Sequence, residues 1–335
     1  MESFLKASKV ALSDLSPYQI IRVILGNQTC DLDSAVCALA QGFSEYVNAK
    51  KHGQSDLAVI PVLNIPEKEF RIKTEVVYWL RSHNIPLYLI TFRDQINLQN
   101  LQNKTDKKLE LILVDHHILP NEDIVLKPSV TNIIDHRPLD PAWSWSNILL
   151  NVEIVGSCTS LVARDILQKN PDMLDAQLAS FLIGPILVDT YNMSAKGGRV
   201  TATDVDVINK LEQLGRLRTD RTENLLTREN AKEMIEKFGI DKNCTVIVLI
   251  GLDVSDGRIS RDIAVFSILC DQLGNDIIQA LTSSTQPPLN IDLVKEIREE
   301  RYSICLYKIG NLEVTRKQIL PIVQRTALLH NNERI

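Results

Sequence analysis

The sequence predicts an α/β fold in two domains, a larger one built on a parallel sheet and a smaller α/β one. Three observations predict it. Short runs of branched apolar residues alternate with helix-period segments through the first half, the pattern of strands joined by right-handed crossover helices. Four apolar segments there each deliver acid or imidazole side chains at their C-terminal ends. Gly197 and Gly198, followed by a polar stretch from Thr201 to Asn230, mark a boundary before a shorter second half with apolar segments of its own.

Composition narrows the class. The 335 residues suffice for two full cores, and 44% hydrophobic with 24% charged residues is ordinary for a globular chain. A net charge of −5 gives no global reason to expect nucleic acid or membrane as a partner, so a polyanionic substrate must meet local cations. The six cysteines (Cys30, Cys37, Cys158, Cys244, Cys270, Cys305) are scattered without CxxC pairs, which fits buried, reduced thiols and a cytoplasmic protein. The opening MESFLKASKV lacks a long apolar core, and no stretch reaches the roughly 18 apolar residues of a membrane span.

Taken in order, residues 1–20 are expected to form a helix leading into a strand at 21–26, IRVILG. The loop Asn27 to Asp33 follows, and Ser34 can cap a helix running through Ala49. Asp31 and Asp33, spaced i, i+2, reach one site only where the backbone is irregular; carboxylates just before a helix also serve as caps, and both roles stay open. Leu57 to Leu63 reads as a second strand, Thr74 to Ser82 as a helix, and Leu87 to Phe92 as a third strand. Arg93 and Asp94 behind it either pair locally or face the site.

The next strands lie at 109–114 and 130–134. In Leu109 to His117, LELILVDHH, a short branched run bounded by charge reads as a buried strand of a parallel sheet, ending in Asp115, His116 and His117. Ligands of open α/β sheets bind beyond the carboxyl ends of strands, and a carboxylate with two imidazoles is a good donor set for a divalent metal. The arrangement recurs in VTNIIDHR, which ends in Asp135, His136 and Arg137, and in FLIGPILVD, which ends in Asp189. Three of the six histidines fall inside these motifs, which argues against a merely solvated His-rich turn.

Val155 to Ser160, VGSCTS, opens a helix continuing through Leu167; its exposed N–H groups suit a phosphate, while a simple cap by Ser157 or Thr159 is an equal reading. Residues 174–188 read as a buried helix or strand that carries Asp189 out at its end. In the second half, Cys244 to Leu252 and Asp276 to Leu281 read as strands, and 259–272 and 315–330 as helices. Thr315, Arg316, Lys317 and Gln318 stand at the start of the last helix, where a cation pair opposes the macrodipole and an anionic ligand would explain it; surface Arg-Lys pairs are also common.

Together, GNQTCDLDS, LILVDHHILP, DHRP, VGSCTSL, ILVDTYNM and TRKQ resemble the DHH phosphoesterase superfamily in its branch with a DHHA2 C-terminal domain. That branch holds the family II inorganic pyrophosphatases and the Prune exopolyphosphatases, and the motif series is more similar to Prune. The resemblance runs from about residue 20 to 325. It implies a DHH domain over 1–200, a linker over 201–222 and a DHHA2 domain over 223–335, with the active site between the two domains.

The resemblance also implies roles. Asp31 would bind a first Mn²⁺ or Mg²⁺ and Asp33 a second, with Asp115 bridging both and His136 and Asp189 completing the ligand set of the second metal. His116 or His117 would orient the bridging carboxylate or contact the phosphate. Thr315, Arg316 and Lys317 match a phosphate clamp, and Lys232, in RENAK, matches a further phosphate-binding lysine. Two positions depart from the pyrophosphatase pattern: a histidine ligand is replaced by Asn27, which is grouped here with the substrate-binding residues, and a second histidine by Arg137. Asparagine is a weaker, neutral ligand, so the first metal should be held more loosely; Arg137 adds a planar cation able to pair bidentately with phosphate.

The chemistry agrees with this inventory. Two divalent ions about 3.5–4 Å apart acidify a water and neutralise a phosphoryl group. Holding them that close takes several carboxylates, and mixed oxygen and imidazole donors suit Mn²⁺ or Mg²⁺. The expected function is removal of terminal phosphate from short polyphosphates, with closure between the domains assembling the site. Pyrophosphate or a cyclic nucleotide is the alternative substrate, and a metal-binding scaffold with little turnover the non-enzymatic alternative. A small phosphate compound is the expected partner; no membrane or nucleic acid is expected, and no protein partner is indicated.

Overall fold

Six parallel strands form the first sheet: β1 (Ile20–Leu25), β2 (Leu57–Leu63), β3 (Thr91–Phe92), β4 (Lys108–Val114), β5 (Val130–Asp135) and β6 (Leu149–Val152). Their order is β3-β2-β1-β4-β5-β6. This computed structural model describes residues 1–194, 198–215, 244–255, 258–268, 271–299 and 302–332. The chain divides into two compact units, residues 1–219 and 220–335.

Apolar residues on both faces of each strand explain the nearly continuous runs. On β1, Ile21, Val23 and Leu25 face one core and Ile24 the other; on β4, Leu109, Leu111 and Leu113 oppose Ile112 and Val114. The helices α1 (Glu2–Ser13) and α2 (Leu32–Lys51) flank β1 in the chain. Phe4, Leu5 and the Ala35–Ala40 segment of α2 join one core with the helices Cys158–Lys169 and Ala176–Asp189. The chain runs outward through β2 and β3, then returns to place β4 beside β1. Loops leaving the C-terminal ends of β1 and β4 therefore diverge, and this switch point is where such sheets open a crevice.

Several elements differ from expectation. The third strand shrinks to Thr91–Phe92 after a 3₁₀ turn at Leu87–Leu89, and Leu149–Val152 adds an edge strand. Arg93 pairs with Asp123 at 2.8 Å rather than with Asp94, whose carboxylate accepts the Glu67 N–H. The polar stretch from Thr201 begins with a helix, Ala202–Gly215, that buries Val207, Ile208 and Leu211 in the first unit's core. Its remainder to Asn230 lies outside the described residues. Cys30, Cys37, Cys158 and Cys305 are buried, as expected, whereas Cys244 is only partly buried and Cys270 lies outside the described residues.

In the second unit two assignments exchange places. Arg258–Ile268, expected to be helical, is strand β8, and Asp276–Leu281, expected to be a strand, belongs to the helix Asp271–Thr282. With β7 (Val246–Ser255), β9 (Ile291–Glu299) and β10 (Tyr302–Ile309) it makes an antiparallel sheet in the order β7-β8-β10-β9. Ile263 and Val265 pack there with Ile277, Leu281 and Ile319, the last on the helix Arg316–Asn332. Among the described residues no helix is long and apolar enough to cross a membrane.

Candidate metal centre

At the end of β4 the chain turns sharply. Asp115 adopts φ 60°, a left-handed conformation that non-glycine residues take at a cost and keep mainly where surrounding structure holds them. Its N–H is anchored to the Ile134 carbonyl at 2.8 Å, tying β4 to β5. At the end of β1, Gly26 lets α2 approach closely: a Cβ there would lie 2.6 Å from Ser34 Oγ. Ser34 therefore does not cap α2. Its hydroxyl accepts the Asn27 N–H at 2.7 Å, and Asp31 is the cap, its Oδ1 accepting Ser34 N–H at 3.2 Å.

Asp33 sits in the first turn of α2 but is held by another helix. Its Oδ1 accepts from Ser157 Oγ (2.7 Å), Thr159 N (2.8 Å) and Thr159 Oγ1 (2.6 Å), and its Oδ2 from Cys158 N (2.8 Å). The VGSCTS segment thus presents its helix N-terminus to an anion, and the anion is the chain's own Asp33 rather than a phosphate. Neither expected cap applies: Ser157 makes no side-chain cap bond.

Asp33, Asp115 and His136 each place a ligand atom within 4.8 Å of one another. His136 donates Nδ1–H to the Val155 carbonyl at 3.1 Å, which aims Nε2 at Asp115 Oδ1 (3.3 Å) and Asp33 Oδ2 (4.0 Å). Backbone partners of this kind orient metal-binding imidazoles. Arg137 donates Nη1–H to the Asp115 carbonyl at 2.5 Å and lies 3.0 Å from Asp115 Oδ1 through Nη2.

Crowded negative charge marks the cluster. Burial and the charge of Asp33 push the Asp115 carboxyl up to about 7, against the pull of His136 and Arg137. Burial opposes the charged form of His136, but its hydrogen bond to Asp115 and the charge of Asp33 outweigh burial and hold it up at about 9. Asp189, the last residue of its helix, is raised well above the carboxylate range by burial and then by Asp33, Asp31 and Asp115, so it shares the same field. Asp115 Oδ1 and His116 Nε2 are buried without an aligned hydrogen bond. An Asp115 oxygen that meets the charges of His136 and Arg137, a His116 nitrogen with no aligned partner and the excess carboxylates around them fit a divalent cation. Thiolates do not contribute, since burial pushes the Cys158 thiol up to about 12.

The remaining predicted residues divide. His116 donates Nδ1–H to the Val114 carbonyl at 2.9 Å, and burial lowers its pKa. Both ring nitrogens of His117 are engaged elsewhere: Nε2 accepts the Asp140 N–H at 3.0 Å, so Nδ1 carries the proton donated to Asp135 Oδ2 at 2.5 Å. Asn27 donates Nδ2–H to Asp115 Oδ2. In the second unit, Thr315 N–H and Oγ1–H both reach Gln318 Oε1, at 2.9 and 2.6 Å, which makes TRKQ a helix-capping arrangement with Arg316 in the first turn. Lys317 lies in that turn, and Lys232 is outside the described residues.

Two buried residues, Asp204 and Lys73, escape sequence reasoning, and a third, Asp135, reads there only as a strand-end acid. Asp135 Oδ1 accepts the His136 N–H at 2.7 Å while Oδ2 binds His117, so this carboxylate shapes the DHR turn. Asp204 accepts from Gly156 N, Ser160 Oγ, Thr201 N and Thr201 Oγ1, pinning the Ala202 helix to the segment that holds Asp33. Lys73, 6% exposed, donates to the Thr29 carbonyl at 2.6 Å and supports the loop carrying Asp31. Only Asp135 had a signal, its place at a strand end beside His136.

No family model matches the chain. It is 31% identical to exopolyphosphatase PRUNE1 of Bos taurus, over 97% of this chain and 79% of that protein. Identity to exopolyphosphatase PRUNE1 of Homo sapiens is 30%, with the same coverage of 97% and 79%. A manganese-dependent inorganic pyrophosphatase of Methanothrix thermoacetophila is 25% identical over 57% of this chain and 53% of that protein.

Proposed function

The chain belongs to the Prune family of DHH phosphoesterases, and from that premise we propose that it is a metal-dependent hydrolase that removes terminal phosphate from short polyphosphates. The observation that carries this reading is the convergence of Asp33, Asp115 and His136 at the switch point of the parallel sheet. Oxygen and imidazole donors suit Mn²⁺ or Mg²⁺, and the pyrophosphatase relative is manganese-dependent. Bound divalent ions would supply a water acidified for attack and neutralise the phosphoryl oxygens.

Asp33, Asp115 and His136 would hold the ions, with Asp31 and Asp189 adding anionic ligands around them. The donors of Ser157, Cys158 and Thr159 fix the Asp33 carboxylate before any ion arrives, so little reorganisation is needed. Arg137 steadies Asp115 and offers cationic surface to a phosphate. His116, its ring held through Nδ1–H by the Val114 carbonyl, would help orient the turn that carries Asp115. Because Arg137 is already engaged by Asp115 and Asp135, we assign further phosphate neutralisation to Arg316 and Lys317, with Thr315 beside them and Lys232 as an additional cation.

The test is kcat/KM for tripolyphosphate, tetraphosphate, pyrophosphate and cyclic AMP in the presence of Mn²⁺. Tripolyphosphate or tetraphosphate as the better substrate supports the reading. Pyrophosphate as clearly the better one would make the protein a pyrophosphatase.

A further inference from the structure

The side chain of Asn27 joins the two strand ends on which the centre is built. Its Oδ1 accepts three hydrogen bonds from the loop after β1: Thr29 N–H (2.9 Å), Thr29 Oγ1–H (2.6 Å) and Cys30 N–H (3.0 Å). Its Nδ2 points the other way, donating to Asp115 Oδ2 at 2.5 Å and to the Asp115 carbonyl at 3.4 Å. The residue is 8% exposed. The partners dictate the amide's orientation. Turned over, its NH₂ would face two backbone N–H groups and its oxygen would face a carboxylate oxygen.

A divalent ion takes an amide through its oxygen. The Asn27 oxygen is already occupied by three donors of its own loop, and the end nearest the acids is the donor end, which an ion repels. We propose that Asn27 is a positioning residue, not an ion ligand: it locks the Asp115 carboxylate to the β1 loop and leaves Asp115 Oδ1 facing His136 and Arg137. The proposal rests on the reading of this site as a metal centre. It replaces the expectation of a weakly ligating asparagine with one in which Asn27 sets the rotamer of a shared carboxylate.

The test is NMR of the full chain labelled with ¹⁵N-asparagine, the Asn27 side-chain signal being assigned by its loss in Asn27→Ser. The expected result is an Asn27 amide with one proton shifted downfield and exchange about tenfold or more slower than in exposed asparagines. Both features persist at saturating Mg²⁺. Fast exchange in the metal-free protein, or loss of the downfield shift when Mg²⁺ binds, overturns the proposal. As a second measurement, Asn27→Asp keeps an oxygen toward the loop but sets an acceptor against Asp115 Oδ2. Its metal-free melting temperature should fall and saturating Mn²⁺ should restore it; an unchanged melting temperature overturns the clamp. A parallel Mn²⁺ titration separates the two failures. Absence of any bound ion refutes the metal centre, while the metal-free amide signal still decides the role of Asn27.

Discussion

Replacing His117 by phenylalanine tests whether this histidine serves the fold of the site or the substrate. The ring is 4% exposed and makes two hydrogen bonds, to Asp135 Oδ2 and from Asp140 N–H. Phenylalanine fills the space and removes both. Loss of a bond to a carboxylate costs about 1.5–3 kcal/mol, and the orphaned Asp140 N–H about 1–3 kcal/mol more, so a total of about 2.5–6 kcal/mol is expected. At roughly 2–4 °C per kcal/mol for a domain of this size, the metal-free protein should melt about 5–24 °C lower by calorimetry. His117→Asn retains a side-chain N–H near the Nδ1 position and should recover about half of that loss. Mn²⁺ affinity should fall with His117→Phe and return partly with His117→Asn, because Asp135 holds the backbone of His136. A Phe variant that melts within about 2 °C of wild type yet loses turnover would refute this reasoning and put His117 on the substrate.

Other outcomes follow from particular contacts. Lys73→Met keeps the apolar stem and removes the support of the Thr29 carbonyl, so Mn²⁺ affinity measured by titration calorimetry should weaken about tenfold. Chelation should abolish turnover and lower the melting temperature; Mn²⁺ at about 100 times its Kd should stabilise by about 2.7 kcal/mol, or about 5–10 °C in a thermal-shift assay. For Glu110, burial favours the neutral form, but Lys108 and Arg22 outweigh it and hold the carboxyl below its ordinary value of 4.5. A depressed folded value adds stability above the unfolded value that is lost as pH falls through the folded one. Glu110→Gln should therefore destabilise by about 1–3 kcal/mol at pH 7, and its effect should shrink as pH falls below 4.5, as read by urea melts.

The legible part of this protein is what a parallel sheet imposes on sequence. Strands buried on both faces must be apolar throughout, so the acids and imidazoles at their ends stand out, and Asp33, Asp115 and His136 do converge. The pattern of the second unit is more ambiguous. The helix at 271–282 buries Ile277 and Leu281, four residues apart, inside DIIQAL, which is short enough to read as a strand. Strand β8 alternates its buried Ile263 and Val265 over a segment that also suits a helix.

Side-chain partners across long separations were not legible. Nothing local reveals that Asp33 would engage residues 157–159, or that Asp204 would bind Gly156 and Ser160. Such contacts depend on which helices the sheet brings together. TRKQ was a different case. Its threonine and glutamine, three apart, carry a capping signature that stands beside the two cations and was not read from the sequence.

The most direct test of the account is Mn²⁺-dependent phosphate release from tripolyphosphate by wild type beside Asp115→Asn, with circular dichroism and Mn²⁺ binding recorded on both. Asparagine preserves the shape of the side chain and an acceptor for Asn27 while removing the charge shared with His136 and Arg137. The account predicts robust release by wild type, with none from a variant that is folded but binds Mn²⁺ poorly. Comparable release by the two proteins would contradict the placement of Asp115 at the heart of a metal centre.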